Sequence, residues 1–251
     1  HAESSFTGDV GQANQRNHNI DLLFRPSESW AFGAGHHYDI LGIEQLEPQS
    51  NGHVHTVFFP LHRISKSGNN GFRFSLAPAL AASSNVVKDP GAYSADAFQL
   101  LGALVWTRNL SNRTTLRFGV CGDHRFGGFE LYPSISVEWQ PHVDWTIGLG
   151  FPTTRVVYRA SKTFDSSLQV TPDGNEWHVR DKGMEKQSQL IYEASLVEWA
   201  FRWKASKRIA ISASVGRQFD NRYELTLLDD RRVQLSSGSV MRSGAVLDWR
   251  F

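Results

Sequence analysis

Along most of this chain apolar and polar residues alternate with a period of two, the pattern of strands whose faces meet different environments. In FELYPSISVEWQP one row is Leu131, Pro133, Ile135, Val137 and Trp139, and the other is Glu130, Tyr132, Ser134, Ser136, Glu138 and Gln140. In RTTLRFGVCGD, Leu116, Phe118 and Val120 oppose Arg117, Gly119, Cys121 and Asp123. VDWTIGLGF sets Val143, Trp145, Ile147, Leu149 and Phe151 against Asp144, Thr146, Gly148 and Gly150, and KRIAISASVGRQ repeats the arrangement around Ile209, Ile211 and Val215. At the C-terminus Met241, Ser243, Ala245, Leu247, Trp249 and Phe251 alternate with Arg242, Gly244, Val246, Asp248 and Arg250. Two segments depart from the rule: DAFQLLGALVWTR is apolar on both faces near its middle, and VHTVFFPLHR reads in either phase. Long helix-period runs are scarce.

The breaks between these segments alternate in length. Short ones fall at 25–29, 65–70, 109–113, 140–143 and 204–207, and longer ones at 44–52, 83–96, 122–128 and 159–187. The last contains a Pro-Asp-Gly turn signal between SLQV and WHVR, which predicts an extracellular hairpin loop over 159–187. Short turns at one end and long loops at the other predict an all-β, transmembrane antiparallel β-barrel with periplasmic turns and extracellular loops. Tracing the strands back from the C-terminus, with one more outward strand within 3–11 to close the ring, gives about 12 strands in a single domain over 1–251. The alternative for residues 3–11 is a path through the lumen.

The physical basis is the cost of unpaired backbone. In hydrocarbon each unpaired N–H or C=O costs several kcal/mol, so a sheet survives there only when closed on itself. Its outward row must then be apolar and its inward row is free to carry charge, which reconciles a mean hydropathy of −0.36 with a membrane location. A soluble β-sandwich produces the same alternation with the polar row outside. The aromatics separate the two: Trp139 and Trp145 flank one short turn, Trp199 and Trp203 approach another, and Trp249 and Phe251 end the chain, as in an interfacial girdle.

The ending AVLDWRF resembles the C-terminal signal of Gram-negative outer-membrane β-barrel proteins, a final Phe251 with Trp249 and Leu247 at alternate preceding positions. The segment SVEWQPHVDWTIGLGFPTTRVVYRAS resembles a little-studied group of barrel proteins described only as outer-membrane domains of unknown function. The resemblance implies a bacterial outer-membrane location, recognition of the last strand by the barrel assembly machinery, and contact with outer-membrane lipids and lipopolysaccharide. The polar start HAESSFTGDVGQANQ resembles a mature N-terminus from which a signal peptide has been removed.

Composition narrows the function classes. Lysine and arginine number 26 against 25 acids, so nothing points to nucleic acid. No run approaches ~18 consecutive apolar residues, which excludes a membrane helix. Cys121 stands alone, so there is no disulfide framework. No cofactor motif occurs: GxSxG, HExxH, a phosphate loop and paired cysteines are all missing from the sequence.

Three groups of residues carry candidate chemistry. His36, His37, Asp39, His53 and His55 flank the 44–52 loop, where adjacent strands would bring imidazoles and a carboxylate together for a divalent metal or for pH sensing. The bland alternative is a polar rim that binds water or lipopolysaccharide sugars. Arg117, Glu130, Glu138, Asp144, Glu198, Arg202, Arg242, Asp248 and Arg250 mostly occupy the polar phase and are expected to line a lumen. They either select solutes in a passive channel for small molecules or pair with one another and fill the barrel, and their mixed signs oppose strong ion selectivity. The competing class is a non-transporting barrel, either a lipid-modifying enzyme or a surface-binding protein. His124 and His178 fall in predicted outer loops, but no catalytic residue stands out.

Overall fold

A computed structural model describes residues 6–10, 13–43, 53–89, 91, 93–180, 187–206, 209–226 and 232–249. Their backbone is overwhelmingly strand, with helical geometry in the single turn α1 (Ser84–Val87), in a 3₁₀ turn at Ala95–Ala97 and at Gly91. The strands are β1 (Phe6–Val10), β2 (Ala13–Phe24), β3 (Trp30–Ile43), β4 (His53–Phe58), β5 (Leu61–Ser67) and β6 (Asn70–Ser83). They continue with β7 (Phe98–Ser111), β8 (Thr114–Asp123), β9 (Glu130–His142), β10 (Trp145–Phe151) and β11 (Thr154–Arg159). The remainder are β12 (Phe164–Arg180), β13 (Gln187–Lys204), β14 (Ile209–Thr226), β15 (Arg232–Ser237) and β16 (Val240–Trp249).

All sixteen belong to one sheet, in which the order from β2 to β14 follows the sequence while β1 lies at the other end, beside β15. From β2 to β14 each pass pairs antiparallel with the next, β4 and β5 together forming one pass beside β3 and β6. β15 and β16 likewise share the edge of β14. A parallel bridge between Ala82 of β6 and His178 of β12 closes β6 through β12 into a barrel of seven strands, and the other strands extend from it. The two ends of the sheet also approach each other, because β1 pairs with β15 and β16 lies beside β2.

Each short break of the sequence pattern separates two paired strands. Between β5 and β6 the turn is two residues long, and Gly68 takes φ 56°, the positive value that lets such a turn follow the twist of its strands. One irregularity bends β14: Ser195 pairs with Phe219 and Glu193 with Arg222, so Asp220 and Asn221 together oppose Ala194. Asp220 sits at φ 53°, left-handed backbone that Asp tolerates and a β-bulge uses.

Two expectations are corrected. Residues 164–180, expected within a hairpin loop over 159–187, form β12 and pair with β13 along their whole length. The Pro-Asp-Gly signal lies mid-strand, with Asp173 opposite Ala194 and Gly174 opposite Glu193. Residues 181–186 between the strands lie outside the described residues. The second correction concerns residues 3–11. β1 runs parallel to β15 and hence in the same direction as β2, so it supplies no outward strand antiparallel to β2.

Candidate functional site

The alternation sorts side chains to two surfaces. Outside stand Ile20, Leu22 and Phe24 of β2, Phe118 and Val120 of β8, Ile135 and Val137 of β9, Leu149 of β10, Leu168 of β12, and Ile211 of β14, all exposed. Near the short turns this outer surface is aromatic, with Trp30, Trp139, Trp145, Tyr158, Phe164 and Trp203 exposed and the Trp145 and Tyr158 rings 4.7 Å apart.

The inner surface carries ions, and most find partners across neighbouring strands. Arg117 Nη1 donates to Glu138 Oε2 at 2.9 Å, and Gln169 Nε2 donates to Glu198 Oε2 at 2.8 Å. Lys204 pairs with Asp165 at 2.9 Å, and Arg202 lies in register with Asp165. Asp173 Oδ2 accepts from Gln218 at 2.7 Å and from Arg242 at 2.8 Å. Five of the predicted lining residues, Arg117, Glu138, Glu198, Arg202 and Arg242, therefore occupy the interior row. Asp144 does not: it stands in the β9–β10 turn, 3.3 Å from His142. Glu130 opens β9 at the loop end, exposed and in register with Asp123. The side chain of Asp248, those of Leu247 and Trp249, and residues Arg250 and Phe251 lie outside the described residues. The backbones of Leu247 and Trp249 pair with Ile211 and Ile209, so the final strand is built into the sheet against β14.

Towards the long loops the interior changes character. Leu41, Val54, Ala81, Leu190 and Ala194 pack with Trp177, Tyr192 and Tyr223, each of these three only 2% exposed. The polar atoms of this core are tied: Trp177 Nε1 and Asn175 Nδ2 donate to Thr56 Oγ1 at 3.1 and 3.0 Å, and Tyr192 Oη donates to Asn221 Oδ1 at 3.3 Å. The opposite face of β12 is covered by the β8–β9 connection, where His124 Nδ1 lies 3.1 Å from Glu176 Oε2. His124 lies in the β8–β9 connection, as the sequence predicts, but is buried there, whereas His178 belongs to β12 and is buried as well. Trp177, Tyr192 and Tyr223 were not legible as a core because Trp177 fell in the stretch read as a loop.

The histidine group divides between the two surfaces. His36, Tyr38, His53 and His55 share the outer face above Ile20 and Leu22. His36 Nε2 and His55 Nδ1 are 3.0 Å apart, His55 Nε2 reaches Ser84 Oγ at 2.7 Å, and the Tyr38 hydroxyl bonds His53 Nδ1. His37 and Asp39 face the other way, where His37 lies 3.2 Å from Asp21 and Asp39 is buried. Strand alternation forces this split of consecutive residues. Among the described residues no three His, Cys, Asp or Glu side chains come together to hold a metal ion, so the five residues do not form the metal cluster the sequence suggested.

Residues 72–233 match the model of a family described as a domain of unknown function (DUF6268). No curated protein and no solved structure matches the chain.

Proposed function

We propose that this chain, which belongs to the DUF6268 family, is an outer-membrane β-barrel that passes small solutes through a gated interior. The observation that carries the reading is the division of the side chains: exposed apolar rows outside on nearly every pass, and ion pairs such as Arg117–Glu138 and Asp173–Arg242 inside. Water gives no reason to surround a paired polar interior with Phe, Leu and Trp, whereas lipid requires it. The exposed aromatics by the short turns support an interfacial girdle at the periplasmic end.

In this reading the parallel approach of β1 and β2 to β15 and β16 closes the wider ring. With β1–β2, β4–β5 and β15–β16 each counted once, the sheet makes thirteen passes, one more than the sequence implied. The outer face of the His36–His55 group meets lipopolysaccharide, and the assembly machinery reads the last strand.

In this reading the gate is the packed Trp177–Tyr192–Tyr223 core at the loop end, and passage requires the upper parts of β12 and β13 to leave Thr56 and Val54. The same packing favours the second reading, a barrel that transports nothing. Conductance of the purified chain in planar bilayers separates them. We expect low, intermittent conductance from the native chain and a several-fold higher open fraction from Trp177→Ala, which removes the largest side chain of the core. If both conduct nothing while retaining barrel structure, the channel reading falls and the non-transporting barrel stands.

A further inference from the structure

At the turn end of the interior, between β2, β3, β5 and β6, lies a cavity of about 220 Å³. Its polar wall holds Arg25, Arg73, His62 and Ser75, with Glu28 as the one acidic lining residue. Leu23, Ala31 and Ile64 supply an apolar wall. Two arginines elsewhere in the interior are each matched by an acid, Arg117 by Glu138 and Arg242 by Asp173. Arg25 and Arg73 have no ion-pair partner among the described residues, and both are exposed to solvent. His62 Nδ1 and Ser75 Oγ lie 2.8 Å apart, which fixes the imidazole on the cavity wall.

We propose that this cavity binds a small organic monoanion, a carboxylate with a short apolar tail. Two guanidiniums against the Glu28 carboxylate leave one net positive charge with His62 neutral, which matches a single negative charge. Arginine's planar fork is suited to taking both oxygens of a carboxylate. The volume admits a molecule of only a few carbons, whose chain lies against Leu23 and Ile64. Placed at the periplasmic mouth, the site concentrates such anions ahead of the gate, and in this it rests on the channel reading; binding itself requires only the folded barrel.

The test is calorimetric titration of the full chain in detergent micelles with butyrate, butyramide and inorganic phosphate. Butyrate is expected to bind, butyramide is not, and phosphate is expected to bind more weakly. Arg25→Gln and Arg73→Gln should each weaken butyrate at least tenfold, while Arg113→Gln, in the β7–β8 turn outside the cavity, leaves it unchanged. Arg73→Lys keeps the charge without the fork and should fall between the native chain and Arg73→Gln. Far-ultraviolet circular dichroism of every variant separates a lost site from a lost fold. Equal binding of butyramide, tighter binding of phosphate, or no loss in the arginine variants overturns the proposal. A chain that conducts but does not bind butyrate loses this site and keeps the channel, and one that binds without conducting does the reverse.

Discussion

At Gly174 a Cβ would stand 2.7 Å from the carbonyl oxygen of Tyr192 and 2.8 Å from both the Arg125 carbonyl oxygen and the Gly127 nitrogen. All three are backbone atoms, so none can move aside by changing rotamer. The glycine is therefore where the β8–β9 connection crosses β12, and it marks a close approach between backbones. In the sequence the same Pro-Asp-Gly reads as a hairpin turn, because turn and close approach both require a residue without Cβ. Nothing local distinguishes them. Gly174→Ala is expected to cost about 1–3 kcal/mol, the usual range for overpacking. Its signature is a lower thermal midpoint in detergent together with faster protease cleavage within 123–129. A variant that melts and resists protease like the native chain would mean that this connection does not rest on β12.

Whether an element was legible depended on whether its two faces met two different media. β8, β9, β10 and β14 read cleanly because one row is exposed and apolar and the other carries the interior ions, and residues such as Phe118 and Arg117 stand next to each other in sequence on opposite surfaces. β12 keeps that contrast only in its first half, where Leu168 and Val170 alternate with Gln169. Beyond Asp173 both rows meet protein: Asn175 and Trp177 face the core, while Glu176 faces His124. Periodicity cannot report a strand packed on both sides, and with the Pro-Asp-Gly signal reading as a turn the whole of 164–180 falls within the predicted hairpin loop. The second half makes the bridge from His178 to Ala82 on which the proposed gate turns. A disulfide between Ala82→Cys and His178→Cys, in a Cys121→Ser background, should hold the arm in place, since directly bridged strand positions approach within disulfide reach. Oxidised protein is expected to conduct at least several-fold less than the reduced form, with reductant restoring it. Equal conductance in both states would remove this arm from gating.

Over the turn-side part of the described barrel, paired charges lie inside and exposed apolar rows outside, and that inversion is legible because it is written residue by residue along the chain. The pairing that closes β6 through β12, the direction of β1, and the cavity by Arg25 and Arg73 are not, since each depends on which distant strands meet. The inversion can be tested by depth. Ile135 lies midway along the exposed row that runs from Leu131 to Trp139, while Val143 lies in the adjoining short turn, and both are more than half exposed. On the surface of a soluble sheet an exposed arginine changes stability little at either position, usually within about 0.5 kcal/mol. In a bilayer the two positions differ. An arginine at the midplane of a barrel's lipid face costs about 2–4 kcal/mol, against about 0–1 near the interface. Ile135→Arg should therefore lower unfolding stability in lipid vesicles by the larger amount and Val143→Arg by the smaller, with Ile135→Ser separating the loss of the apolar side chain from the penalty of the charge. Equal, small effects for both arginines would place Ile135 in water and end the membrane reading.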